Sequence, residues 1–93
     1  MYFILNNGFV LHIRSVKNVR NQPLINALGQ RVRILRTQKK LSMERLAELS
    51  EIDYRQVSYV ELGQTDASIS TLSALCKGLE ITLAELMDAE GLK

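Results

Sequence analysis

The stretch EIDYRQVSYVELG (residues 51–63) concentrates the side chains best suited to directional recognition. Arg55 carries a planar fork of N–H donors that can grip two acceptors at once, and Gln56 sets an acceptor beside a donor. Tyr54 and Tyr59 flank them, each with an apolar ring and a polar tip. Other chemistry is scarcely provided for. His12 is the single histidine and Cys76 the single cysteine, which leaves no His/Cys cluster for zinc or catalysis and no internal disulfide. Cys76 lies in LSALCKGL at helical spacing among apolar residues, the setting of a small core residue rather than a nucleophile. There is no Gly-rich phosphate loop, and no two carboxylates are spaced for acid–base work over surface charge. The inventory argues against an enzyme and implies neither metal nor cofactor.

These residues need a scaffold, and the periodicity supplies one. Asp53 is placed to cap the helix YRQVSYVEL, with Gln56 three residues on as its capping-box partner, Val57 and Val60 facing inward and Gly63 as the stop. Only "SEI" separates Leu49 from that cap, a turn short enough to force the two helices to cross as in a helix-turn-helix. Upstream, Ser42 can cap MERLAELS, with Glu44 in its first turn and Leu46, Ala47 and Leu49 apolar. Pro23 suits the first turn of an earlier helix, whose buried stripe reads Leu24, Leu28, Val32 and Leu35. Ser68 can cap ISTLSALCKGL, with Ile69, Leu72, Leu75, Cys76 and Leu79 inward. Thr82 and Glu85 form a capping box ahead of LAELM. Five short helices make an all-α domain over residues 23–88, with a tail at 89–93.

Residues 1–22 form an N-terminal extension. YFIL and FVLHI flank Asn6-Asn7-Gly8, whose Asn-Gly pair supplies the positive φ of a hairpin turn, so a two-stranded β-hairpin is expected, followed by a basic linker or arm. An isolated hairpin is marginal in water, so this one must pack on the helices, pair with a second copy or remain disordered. The apolar start has no basic leader and is broken at Asn6-Asn7-Gly8, so it reads as neither signal peptide nor membrane span, and a cytoplasmic protein is expected.

The net charge of +2 on 93 residues conceals an uneven distribution. Residues 1–40 hold Arg14, Lys17, Arg20, Arg31, Arg33, Arg36, Lys39 and Lys40 and no Asp or Glu, whereas Glu80, Glu85, Asp88 and Glu90 crowd the end. Such a dipolar chain favours one face meeting a polyanion while the other meets solvent or a partner.

The run LGQRVRILRTQKKLSMERLAELSEIDYRQVSYVELGQ, continued by SISTLSALCKGLEITLAELM, resembles the phage-repressor-type (Cro/repressor-like, XRE-like) helix-turn-helix family over residues 28–87. The framework carrying the resemblance is the Leu-Gly opening, Arg36 after Leu35, LSxxxLAxxS, VSxVExG, TLxxLCxxL and a closing TLAEL. The resemblance implies a repressor-like helix-turn-helix domain that binds double-stranded DNA sequence-specifically through the major groove. It implies a transcriptional regulator acting as a homodimer on a palindromic operator. The seam would lie at the fifth helix or between N-terminal hairpins. An antitoxin or other protein-interaction module is the alternative use of the same framework.

Carried over residue by residue, the resemblance puts Tyr54, Arg55 and Tyr59, with Gln56 adjacent, at base edges. Arg55 would suit guanine O6 and N7, and Gln56 adenine. Tyr54 and Tyr59 could touch a thymine methyl or a phosphate, or pack on the domain. Lys39, Lys40, Ser42, Arg45, Gln64, Thr65 and Ser68 are the phosphate-contacting candidates, at the flanks and at helix N-termini. Arg36 and Glu61 would form a structural ion pair fixing the reading helix. Three residues depart from the pattern. Met43 stands where the family commonly has a phosphate-bridging Gln, Asp66 would repel a nearby phosphate, and Gly78 replaces a usual Ala at a helix cost of about 1 kcal/mol. No small-molecule effector is evident, and the length leaves no room for a sensing domain.

Overall fold

The computed structural model describes residues 2–4, 10–12 and 19–93. Two short strands, β1 (Tyr2–Ile4) and β2 (Val10–His12), pair antiparallel in the register Tyr2↔His12, Phe3↔Leu11 and Ile4↔Val10. The expected Asn6-Asn7-Gly8 turn and the arm through residue 18 lie outside the described residues, as does any packing of the hairpin's side chains. Five helices follow, as expected: α1 (Gln22–Gln38), α2 (Met43–Ser50), α3 (Tyr54–Glu61), α4 (Ile69–Leu79) and α5 (Leu83–Met87). Among the described residues no helix is long and apolar enough to cross a membrane.

Every helix starts on a side-chain cap, which satisfies a backbone donor the helix itself leaves unpaired. Asn21 accepts from the Leu24 N–H, Ser42 from Arg45, Asp53 from Arg55, Ser68 from Thr71 and Thr82 from Glu85. The Thr82/Glu85 capping box is complete. The one expected for α3 is not. The Asp53 carboxylate takes the N–H of Arg55, one residue short of Gln56, and the Gln56 backbone N–H bonds the Asp53 carbonyl instead. With the cap closed on the second residue, the Gln56 side chain has no part in it and stays exposed. At the far end Gly63 sits at φ 69° and passes its N–H to the Val60 carbonyl, while the Gln64 N–H reaches Tyr59, so the helix ends where the sequence places its stop.

The core is one cluster. Leu46, Leu75, Leu79, Leu86, Val32 and Val57 are fully buried, each of them contributing roughly 1.5–3 kcal/mol of burial. Two expected inward faces need correction. On α1 the buried line is Ile25, Gly29 and Val32, while Leu24 lies at the exposed rim and Leu28 and Leu35 are only partly covered. The cause is Gly29. A Cβ there would strike the backbone carbonyls of Val60 and Glu61, so α1 turns its bare backbone onto the end of α3, and the residues one turn away follow. On α4 the inward face is Leu72, Leu75, Cys76, Gly78 and Leu79. Ile69, 65% exposed, belongs to a first turn that projects past the core. Leu49 on α2 is likewise exposed.

Gly78 also reads differently in the fold. It faces α2, where a Cβ would meet the Ser50 Oγ and lie 3.0 Å from Leu46 Cδ1. The propensity cost of a helical glycine is therefore exchanged for close approach of α2 and α4, and alanine would not recover it.

Candidate nucleic-acid interface

The displayed edge of α3 is built from its start. Glu51 closes α2 in the left-handed region (φ 57°), and residues 51–53 alone carry the chain from α2 to α3. Val57 and Val60, buried against the core, fix the rotation of α3. The opposite side carries Tyr54, Arg55, Gln56 and Tyr59, all exposed. Asp53, Arg55, Gln56 and Tyr59 together line a shallow open hollow on this edge, with Tyr54 beside it.

Within the hollow one contact orders the group of residues. The Asp53 Oδ1 accepts both the Arg55 backbone N–H (2.8 Å) and the Arg55 Nε–H (3.3 Å). The backbone hydrogen bond first, and the side-chain one second, hold the Asp53 carboxyl below its usual range. No other described residue bonds the Nη groups of Arg55, so its fork is free to face outward.

Behind the edge lies the Arg36–Glu61 pair, gripped at two points: Nε to Oε2 at 2.7 Å and Nη2 to Oε1 at 3.0 Å. Arg36 also donates Nη1 to the Leu41 carbonyl at 2.8 Å. The side chains are only 12% and 4% exposed. Hydrogen bonding to Glu61 raises the Arg36 pKa above its ordinary value against the opposing cost of burial. One guanidinium thus ties the end of α1, the turn before α2 and the end of α3 together. Met43 packs partly buried along this pair, lining a cleft with Arg33, Arg36, Ser58 and Glu61.

The phosphate candidates are spread around this edge. Lys39 and Lys40 are exposed in the turn after α1, and Lys40 is held at φ 58°. Ser42 lends its Oγ to the Arg45 N–H as cap, and its own O–H is available to an acceptor. Arg45 is exposed and paired with Glu48 at 3.3 Å, a solvent-side contact. Gln64 is exposed, with its N–H already used on the Tyr59 carbonyl. Ser68 caps α4 and shares a hydrogen bond with the Thr71 hydroxyl. Thr65 stands apart, half-buried on the rim of an apolar hollow with Leu24, Leu28, Asp66 and Met87.

Several residues that hold the edge in place do not stand out in the sequence. Gln22 donates its Nε2 both to the Gly63 carbonyl and to Asn26 Oδ1, each at 2.8 Å, joining the start of α1 to the end of α3. Arg31 donates to the carbonyls of Leu86 and Glu85, satisfying the end of α5. These are polar side chains at unremarkable spacing. Gly29, like Gly78 a glycine inside a helix, does carry a sequence signal of close approach.

Comparison with known proteins agrees with this geometry. A helix-turn-helix family model matches residues 32–86. Control protein C.SmaI of Serratia marcescens is 35% identical over 66 residues, covering 71% of this chain and 79% of that protein. The crystal structure of the restriction-modification controller protein C.AhdI from Aeromonas hydrophila superposes with a TM-score of 0.65 at 44% identity, over 67% of this chain and 94% of that one. The controller protein C.Esp1396I, solved as a tetramer with its natural 35-base-pair operator, superposes with a TM-score of 0.65 at 25% identity, over 68% and 83% of the two chains. With the family model spanning more than half of its residues and the fold shared over about two thirds of the chain, the chain belongs to the phage-repressor-type, XRE-like helix-turn-helix family.

Proposed function

We propose that the protein is a sequence-specific double-stranded DNA-binding regulator of the restriction-modification controller kind, acting as a homodimer on a palindromic operator. The observation that carries this is the exposed edge of α3. Tyr54, Arg55, Gln56 and Tyr59 project beyond a capped helix start that Val57, Val60 and the Arg36–Glu61 pair hold from behind. In this reading Arg55 grips guanine O6 and N7 with its free fork, Gln56 reads an adjacent base, and the tyrosines contact thymine methyls or phosphates. Lys39, Lys40, Ser42, Arg45, Gln64, Thr65 and Ser68 supply register through backbone contacts without reading sequence. The family relatives support the regulatory setting, and C.Esp1396I supports assembly of more than one copy on one operator.

One module makes few phosphate contacts, so two copies at half-sites about one helical turn apart gain both affinity and specificity. The test is selection from a randomised duplex pool at two salt concentrations, with Arg55→Ala in parallel. A palindromic motif bound with a steep salt slope, and read poorly by the variant, supports the regulator. Weak binding, alike for both proteins, would transfer the function to protein partnership.

A further inference from the structure

The cap of α3 is unlike the others. Asn21, Ser42, Ser68 and Thr82 cap α1, α2, α4 and α5 with neutral side chains, and only α3 carries a carboxylate, Asp53. Of the helix starts assigned to the proposed polyanion, those of α2, α3 and α4, it alone carries a charged cap. As caps, Asp, Asn and Ser are nearly equivalent, so capping alone does not call for the negative charge. Beside phosphates that charge costs affinity at every sequence. Its return must lie elsewhere, and the geometry shows where: the same Oδ1 that caps the helix also takes the Arg55 Nε–H.

We propose that Asp53 is a positioning residue for base readout, tethering Arg55 by Nε so that its two Nη groups are presented as a pair to one guanine. The proposal rests on the reading of Arg55 as a base-contacting residue. A guanidinium with Nε occupied has its remaining donors directed along the other edge of the plane, and that edge matches O6 and N7 of guanine. The side chains are 74% and 56% exposed, so in water the contact is weak. On a duplex the same contact is shielded from solvent, and an arginine already held in one geometry loses less freedom on docking than a free one. Asp53 trades overall affinity for discrimination.

The experiment compares wild type, Asp53→Asn and Asp53→Ser, each with and without Arg55→Ala. Binding is measured on the selected duplex, on the same duplex with the Arg55-dependent guanine replaced, and on unrelated duplex, with thermal melting of each protein as a control. Asn keeps an amide oxygen at the same reach without the charge, and Ser keeps the cap but shortens the arm. Discrimination for guanine is expected to fall in the order Asp, Asn, Ser, by about three- to fivefold at Ser. Binding to unrelated duplex rises in both variants, melting temperatures stay close, and Asp53 substitutions change discrimination no further once Arg55 is Ala. Equal discrimination by all three caps, or an equal loss in the Arg55→Ala background, overturns the proposal and leaves Asp53 as a cap. A wild type with no guanine preference that depends on Arg55 overturns the reading of Arg55 as well.

Discussion

Substituting Glu61 with Ala isolates what the Arg36–Glu61 pair does. The guanidinium cannot lose its charge, and at 12% exposure it has little water to turn to once both carboxylate contacts are gone. Breaking a buried pair on one side costs about 3–5 kcal/mol. The low end applies, because Arg36 retains its hydrogen bond to the Leu41 carbonyl and some solvent. A domain of this size holds about 5–14 kcal/mol in all, so about 3 kcal/mol is roughly a fifth to three fifths of it. At about 4–8 °C per kcal/mol the melting temperature should fall by about 12–24 °C. The double variant Arg36→Met/Glu61→Leu leaves no uncompensated charge. It orphans only the Leu41 carbonyl, and should sit within about 1–2 kcal/mol of wild type. Thermal and urea denaturation of wild type, both singles and the double test this directly. A Glu61→Ala melting temperature within about 4 °C of wild type, or a double variant as unstable as the two singles summed, would refute the reasoning.

Two further outcomes follow from the packing and from the caps. Gly78→Ala should destabilise by about 1–3 kcal/mol despite its better helix propensity, because its Cβ meets Ser50 Oγ and Leu46. Ser50 Oγ is buried without a hydrogen-bond partner, so adding Ser50→Ala should recover part of that loss in chemical denaturation. Asp53 and Asp88 both titrate below their ordinary 3.8, Asp53 through the Arg55 hydrogen bonds and Asp88 through Lys93. A depressed carboxylate contributes stability above its unfolded value and loses it as pH falls through the folded one. Melting temperature should therefore decline as pH drops below 3.8, and less steeply in Asp53→Ser, which caps α3 without titrating.

The helices were legible because their signals are local. Ser42, Asp53, Ser68 and Thr82 each precede an apolar-periodic run, and each caps the helix expected of it. Gly63 ends α3 at positive φ as its position implies. The rotation of α1 was not legible. Reading Leu24, Leu28, Val32 and Leu35 as the stripe follows side-chain hydrophobicity, whereas the fold is governed by the absence of a side chain at Gly29. Periodicity counts what a residue adds to a core, and a glycine contributes by letting another backbone in. Gly78 repeats the lesson, since propensity sees only the helix that contains it and not the α2 surface against it.

The candidate site divides along the same line. Tyr54, Arg55, Gln56 and Tyr59 are exposed where their spacing puts them, because a short capped helix with Val57 and Val60 inward has only one outward side. How Arg55 is held could not be read from spacing. Asp53 and Gln56 stand at the interval of a capping box, and the pattern assigns Gln56 to the cap. The carboxylate instead closes on the nearer N–H, of Arg55, and has the Arg55 side chain within reach of the same oxygen. That one-residue difference releases Gln56 to the outer surface and engages Arg55. The cap geometry of α3 therefore decides which side chains are free and which is already oriented, and so bears on recognition as much as on the stability of the helix.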